Sequence, residues 1–566
     1  MGNNYALVIG VRKSGRLPLL DGAIADAHAF AEWASAPSKN YSVKLVTDEN
    51  APVTVDRLKN EIKGIISDDV DRLLIFYSGH GFCSQAGDYW LLSDYDRDSD
   101  EAVNLFQSMR NARRLGIGQI AVFSDACRSS LRTGASVSGR VIFPMPSRSA
   151  RTTAPYDEFL STDIGDESQE IPGEDPAKSY GIFSQCLLSA LRGLEPDAVK
   201  DRADRKVISS VGLAEWLEKI VPLQSGKIPG GVVQYPAITP SWREPDDEYA
   251  ELQTGFFGNR PVFTEIFRRY SRKGAPEVQQ IESAAVARVA QAEVERKNQV
   301  MERTQAFLAS RGRESFETHQ GLTVVGSRVT DVAAAPGLRI DLFEEAGLWH
   351  VRGYGTPHSV ALHCESGLWI AGTLLPDFVG TLVVGNEGTE SLNYAPPRSY
   401  HEERNWSLRG EKIVAEWNAL LGIGRRAAPR DWEAFADETR QTKRINPALG
   451  VLAAYAYERS GLIDQIANVG WHFMKDNGFI PFDIISLLTA YGDAKSLIHE
   501  QGPTPAEIVV AGGFPMLTQG WAMLDPDSGA KPELVRLRAG LTGSVWTTFN
   551  AEVGRQFADM VKRGVI

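Results

Sequence analysis

Two short apolar runs end in reactive residues, and that coincidence restricts the fold more than anything else in the chain. Arg72–Tyr77 (RLLIFY) runs straight into Ser78-Gly79-His80-Gly81, and Ile120–Phe123 (IAVF) stops at Ser124-Asp125 with Cys127 just beyond. Both runs are aliphatic and aromatic and too short for a helix, so each reads as a buried strand. In open α/β sheets reactive groups gather just past the carboxyl ends of strands. One tip offers an imidazole and the other a thiol, with the histidine roughly 50 residues upstream of the cysteine, a known spacing for a nucleophile and its base. If the two strands are neighbours, His80 and Cys127 face each other across one cleft.

The chemistry asks for these residue types. The attacking species is the thiolate, and a nearby imidazole makes it available near neutral pH. The same imidazole titrates in the range needed to protonate a leaving amine. Gly81 lets the backbone approach a substrate carbonyl closely, and its N–H and that of Cys127 are placed to hold an oxyanion.

The surrounding pattern agrees. Tyr5–Val11 (YALVIGV) and Ser42–Val46 read as strands, Asp21–Trp33 and Val53–Ile66 as helices with one apolar stripe each. A small hairpin is expected at Asp88–Leu92 and a helix over Ala102–Leu115. Alternating strands and helices imply an α/β sheet with helices on both faces.

At its reactive residues the sequence resembles the caspase and metacaspase superfamily, in its bacterial form. The resemblance is carried by YSGHGF at 77–82 and SDACRSS at 124–130, and it extends over roughly the first 240 residues. FLSTDIGDESQE at 159–170 and GIFSQCLLSALRG at 181–193 are similar to the next core strand and helix of that fold, with Cys186 inside the helix, and QYPAITP at 234–240 closes it. The resemblance implies a cysteine endopeptidase in which Cys127 attacks and His80 moves the proton. It also implies that Asp125, Ser78 and an acidic residue of the first helix (Asp26, with Asp21 second) line the pocket for the side chain preceding the cut. Two carboxylates there attract a basic side chain through charge-assisted hydrogen bonds, Arg above Lys. The resemblance places such an enzyme in regulated proteolysis, in the setting of bacterial antiviral defence or cell death. The other reading is a catalytically silent scaffold of the same fold, or a regulator that senses a partner.

Metacaspases often need calcium, with one acidic ligand several residues past the cysteine; RSSLRTG at 128–134 holds none. Asp94, Asp96, Asp98 and Asp100 form an acidic run that reads as a solvated face, so no metal site and no required cofactor is expected, calcium being the one candidate. Ser, Thr, Arg, Gly and Pro crowd Leu131–Pro155, a loop that offers Arg132, Arg140, Arg148 and Arg151 either to self-cleavage or simply to solvent.

A chain of 566 residues exceeds one core. The expected division is a caspase-like domain over 1–243, a linker with a long connector helix over 244–317, an all-β domain over 318–400 and a helical domain over 401–566. The connector is Glu277–Ser310, with Ile281, Ala285, Val289 and Ala292 on one stripe. His350, His358 and His363 beside Cys364 have no zinc spacing and read as ordinary strand histidines. Helical spacing recurs at Glu411–Leu421, Pro447–Ser460, Leu462–Met474 and Phe482–Tyr491, and GGFPMLTQGW at 512–521 reads as a core turn before a partner contact. Such a tail is expected to recognise an activator protein or a substrate. The net charge of −12 disfavours nucleic acid as the main partner. Four dispersed cysteines, no signal peptide and no long apolar run point to a cytoplasmic protein without a membrane span.

Overall fold

The computed structural model describes residues 3–66, 69–84, 87–128, 139–146, 153–163, 167–171, 179–202, 205–228, 231–241, 247–252, 278–309, 320–345, 347–386, 388–396, 439, 446–502, 508–524 and 531–566. Contacts divide the chain into two units, broadly before and after residue 297.

The first unit runs β1 (Asn4–Gly10), α1 (Asp21–Ser35), β2 (Tyr41–Thr47), α2 (Val55–Ile65), β3 (Arg72–Ser78), β4 (Gly81–Ser84), β5 (Gly87–Leu91), β6 (Ala102–Asn104), α3 (Leu105–Ala112) and β7 (Gln119–Asp125). It continues with β8 (Tyr156–Leu160), β9 (Glu170–Ile171), β10 (Tyr180–Gly181), α4 (Ile182–Leu191), β11 (Lys200–Arg202), β12 (Arg205–Ser209), α5 (Ser210–Ser225), β13 (Ala237–Thr239), β14 (Glu248–Leu252) and α6 (Val278–Ala309). The main sheet has the order β13-β8-β7-β3-β1-β2. Every pairing is parallel except that of β13 with β8. Strand alternation sorts the core into two layers. Phe76, Phe123 and Phe159 pack with Phe30, Phe183 and Leu217 on one face. Ile75, Tyr77, Ile120 and Val122 pack with Leu58, Ile62 and Met109 on the other. The strands read as near-continuous apolar runs because both of their faces are covered.

The two strands that end in His80 and Cys127 are direct neighbours. β3 and β7 pair from Arg72↔Gln119 to Ser78↔Asp125. The expected helix over Ala102–Leu115 is shorter at its start. Ala102–Asn104 joins β5 as a strand, and the Asn104 side chain accepts from Gln107 N–H to cap a helix that begins at Leu105. The unit also outruns residue 243, since β14 pairs with β12. The first half of α6 packs here on the stripe read from the sequence: Ala285 is buried, Arg288 donates to the carbonyls of Gly226 and Ile228, and Tyr235 Oη donates to Val289 O at 3.2 Å.

The second unit holds β15 (Gly321–Val325), β16 (Val329–Ala334), β17 (Ile340–Glu345), β18 (Leu348–Gly353), β19 (His358–Cys364), β20 (Trp369–Leu374), β21 (Val379–Gly385) and β22 (Gly388–Ala395). A helical region follows, with α7 (Pro447–Ser460), α8 (Ile463–Asn477), β23 (Ile480–Pro481), α9 (Phe482–Thr489), α10 (Ala494–His499), β24 (Val510–Ala511), α11 (Pro532–Arg536), β25 (Thr548–Phe549) and α12 (Ala551–Lys562). One sheet is ordered β17-β18-β15-β21-β22 and the other β16-β19-β20-β25. Because β25 pairs with β20, the β-rich and helical stretches share a sheet, and the expected boundary at 400/401 runs through one packed unit. Phe514, Met516, Leu517 and Trp521 are buried, and the Asp483 carboxylate accepts from Met516 N–H and Tyr455 Oη, so the 512–521 loop is core. His350, His358 and His363 each bond separately, to Thr323, Thr356 and Thr330. The expected helix Glu411–Leu421 lies outside the described residues. Among the described residues no helix is long and apolar enough to cross a membrane.

One buried hydroxyl ties the sheet to the histidine turn. Tyr77 Oη reaches His80 O at 2.7 Å and Leu91 O at 3.0 Å, and its ring stacks on Trp90 at 4.5 Å. Tyr77→Phe keeps the ring and removes one donor from two carbonyls that keep others, Leu91 N–H on His80 O and Ser14 Oγ on Leu91 O, at a cost of about 0.5–1.5 kcal/mol. The expected readout is a fall of several degrees in the thermal midpoint; an unchanged midpoint contradicts this account of the turn.

Candidate active site

The site is built on the tips of β3 and β7. Gly79 N–H donates to Asp125 O at 3.2 Å, which locks the first residue beyond β3 to the end of β7. At Gly81 a Cβ would stand 2.9 Å from Ala126 Cβ, 2.9 Å from Cys127 O and 3.0 Å from Tyr89 O. Glycine is therefore required by this close approach, and it brings the start of β4 against the backbone of the cysteine turn.

His80 Nε2 lies 2.7 Å from Pro18 O. A carbonyl only accepts, so Nε2 carries the proton and Nδ1 is left as the basic nitrogen. Burial lowers the His80 pKa, and the Pro18 bond raises it by less. Cys127 Sγ receives Ser168 N–H at 3.3 Å and lies 3.9 Å from Ser168 O. Burial pushes the thiol up to about 11; Ser168 N–H works against this, while Glu167 and Asp125 add to it. Among the described residues no hydrogen bond joins Cys127 to His80. The structure thus holds a neutral thiol and a neutral imidazole on adjacent strand tips, with Ser168 seated on the sulfur.

Beside the thiol is an acidic pocket at the start of α4. Asp26, in the buried middle of α1, accepts Gly181 N–H at 2.8 Å through Oδ2. Asp125 Oδ2 accepts Ser184 N–H at 3.1 Å and Ser184 Oγ at 2.7 Å, and its Oδ1 accepts Ser168 Oγ at 2.5 Å. Both carboxylates therefore sit at a helix N-terminus, where negative charge is favoured. A Cβ on Gly181 would collide with Asp125 Oδ2 and stand 3.1 Å from Asp26 Oδ2. Burial raises both acids, and for Asp26 the Asp125 charge raises it further. Among the described residues Asp26 Oδ1 is buried with no hydrogen-bond partner within bonding distance, although the nearby Gln185 side chain lowers the Asp26 pKa. An orphaned buried carboxylate oxygen is costly, and it marks a place for a missing donor.

Asp21 is bound by Arg12 at 2.6 Å and faces the pocket only through its charge on Glu170. Ser78 is buried opposite Asp125. The acidic run is engaged locally, Asp94 with Arg97 at 3.5 Å, Asp96 with Arg16 at 3.6 Å and Asp98 with the backbone N–H of Asp100. No group of three metal-binding side chains converges among the described residues. Arg132, Arg148 and Arg151 of the expected processing loop lie outside the described residues, while Arg140 pairs with Asp56 at 2.8 Å.

Several residues of the site carry no sequence signal of their own. Glu170 stands opposite Gly181 in the β9–β10 pair and accepts Gly22 N–H at 2.8 Å. Burial raises its pKa, and Asp21 and Asp125 raise it further. Gln234 accepts Gln169 N–H at 3.0 Å and donates to Ser161 O at 2.9 Å, which brackets the Ser168 segment in place. Pro18 reaches the site only through tertiary folding, whereas Ser168, Glu170, Ser184 and Gln234 fall within the stretches that carry the family resemblance.

The caspase domain family matches residues 3–305, more than half of the chain. Among solved structures, a protein from Geobacter sulfurreducens is 16% identical, over 42% of this chain and 92% of that one, with a TM-score of 0.28. Pro-sf-caspase-1 is 14% identical, over 42% of this chain and 91% of that one, with a TM-score of 0.29. No curated protein matches the chain.

Two expectations follow from the titrations. A thiol held near 11 is almost wholly protonated at neutral pH, so iodoacetamide should modify Cys127 about tenfold faster per pH unit between pH 7 and 10; a rate that levels off below pH 8 contradicts the buried, imidazole-free thiol. For Asp26 the folded-state pKa is raised, so its stabilising balance is best below the ordinary carboxyl range and is lost as pH rises through the raised value. Asp26→Asn keeps an acceptor for Gly181 N–H and should raise the thermal midpoint at pH 8, by about 2–4 °C per kcal/mol recovered, with a gain that shrinks toward pH 4. A lower midpoint at pH 8 contradicts the assignment of Asp26 as a functional rather than a structural acid.

Proposed function

From membership of the caspase domain family, to which this chain belongs, we propose that the protein is a cysteine endopeptidase that cuts after a basic residue, Arg preferred. Family membership supports a cysteine peptidase in general. The basic specificity is supported by one observation above the others: Asp26 and Asp125 converge at Gly181 beside Cys127, with an oxygen of Asp26 unpartnered among the described residues.

In this reading Cys127 Sγ adds to the peptide carbonyl as its proton passes to His80 Nδ1. The N–H groups of Gly81 and Cys127 hold the oxyanion. His80 then gives the proton to the leaving amine, the C–N bond breaks, and water releases the acyl group by the same route in reverse. Asp26, Ser78 and Asp125 receive the basic side chain, and Glu170 adds a third carboxylate to the same pocket. A guanidinium presents donors in a planar fork that spans two carboxylates, whereas an ammonium does not. An acidic side chain would add a further negative charge to a low-dielectric site, which excludes it as strongly as it favours a cation.

The seat of Ser168 on both Cys127 and Asp125 supports regulation: substrate entry requires the 167–169 segment to move. The region after the peptidase unit is proposed to recognise an activator or substrate and to control that movement, in regulated proteolysis of the defence or cell-death kind. All four cysteines are free, which fits a reducing compartment.

The test is a fluorogenic peptide panel with Arg, Lys, citrulline or Asp before the cut, run on the full chain and on Cys127→Ala. The expected order is Arg above Lys, with citrulline and Asp near background, and a loss on the order of 10⁴-fold or more in Cys127→Ala. Because the acids are raised, Arg cleavage should weaken as pH falls and they take up protons. Equal background in both proteins, with no Cys127 labelling by a peptidyl-arginyl chloromethyl ketone, favours the silent scaffold instead.

A further inference from the structure

Arg128 follows the cysteine directly and is buried. Its Nε and Nη2 grip both oxygens of Asp88, at 2.6 Å and 3.2 Å, and Nη1 donates to Thr162 O at 3.1 Å. Asp88 is itself buried, on β5, the strand whose Leu91 N–H binds His80 O at 2.9 Å. One guanidinium therefore joins the cysteine turn, the histidine hairpin and the residues just past β8. Burial disfavours the Arg128 charge, and Asp88, with Cys83 and Asp163, more than offsets that.

Such a pair is a poor device for stability alone. Removing two ions from water costs several kcal/mol each, and apolar residues of similar volume often do as well or better. What a bidentate fork supplies is fixed geometry. Other ties between the same elements are looser: Trp90 Nε1 donates to Ser124 Oγ at 2.9 Å, and Gly81 packs on Ala126. Neither holds the residue on the far side of the nucleophile.

We propose that Arg128 is a positioning residue, whose fork onto Asp88 sets Cys127 against His80 and the Gly81 N–H for attack. The inference rests on the peptidase reading. It separates two properties of the thiol. Peptide cleavage needs sulfur, imidazole and oxyanion donors in register, and a displacement of about 1 Å costs on the order of 100-fold. Alkylation by iodoacetamide needs only a thiolate and access.

The experiment compares the full chain with Arg128→Lys, which keeps the charge and loses the fork. Measured are kcat and KM for an Arg peptide, normalised to titrated active sites, and the Cys127 alkylation rate located by peptide mapping. The expected result is a kcat lower by roughly 10- to 100-fold, with KM and alkylation near the wild-type values, because the Asp26, Asp125 and Glu170 pocket is untouched. Asp88→Glu shifts the fork by one methylene, should give the same split, and serves if Arg128→Lys does not fold. An unchanged kcat overturns the proposal. So does a parallel change in kcat, KM and alkylation with a falling thermal midpoint, which is general loosening. A wild-type chain inactive on every basic peptide overturns the peptidase reading and this inference with it; an active wild type with an indifferent Arg128→Lys overturns only the latter.

Discussion

Ser78 and Asp125 stand opposite each other across a parallel strand pair, and the rest of the site follows from that register. In a parallel sheet both chains leave at the same edge. Two strands in register therefore deliver whatever follows them to one place. Here that is His80 from β3 and Cys127 from β7. A slip of one residue would turn Phe76 and Phe123 out of one core layer and Tyr77 out of the other, so the hydrophobic core and the reactive geometry are fixed together.

On the proposed reading, the acidic pocket carries its binding function at the expense of local stability. Asp26 and Asp125 share the N-terminus of α4, which favours negative charge, yet burial raises both of their pKa values. A cation entering beside them would supply the missing donor to Asp26 Oδ1 and relieve the repulsion. Without one, Ser168 and Ser184 satisfy Asp125. The same Ser168 covers the sulfur, while burial keeps it protonated. A single residue bonds both the nucleophile and one pocket acid, so on the proposed reading one movement of the 167–169 segment would release both.

The reach of the sequence can be judged residue by residue. The two strand tips were legible because short apolar runs broken by small residues have few other readings, while the role given to the carboxylate beside the nucleophile came from the family resemblance. Asp26 could be preferred over Asp21 only through the family resemblance; the physical reason is that Arg12 occupies Asp21. Glu170, Gln234 and Pro18 arrive from distant parts of the chain, and no local pattern announces a tertiary contact. The helix expected to start at Ala102 was misjudged because a three-residue strand added to β5 and the Asn104 cap outweigh helical spacing. Beyond residue 320 the apolar periodicity of strands and helices was readable, but the pairing of β25 with β20 joins residues far apart in sequence, and periodicity carries no information about such partners.

The most direct measurement is a crystal structure of the full chain after reaction with a peptidyl-arginyl chloromethyl ketone. The account predicts a thioether at Cys127 Sγ, the guanidinium within hydrogen-bond distance of Asp26 Oδ1 and Asp125, and Ser168 displaced from both the sulfur and the carboxylate. An adduct with the guanidinium in solvent, or with Asp26 and Asp125 still bonded only to Gly181, Ser184 and Ser168, would contradict it.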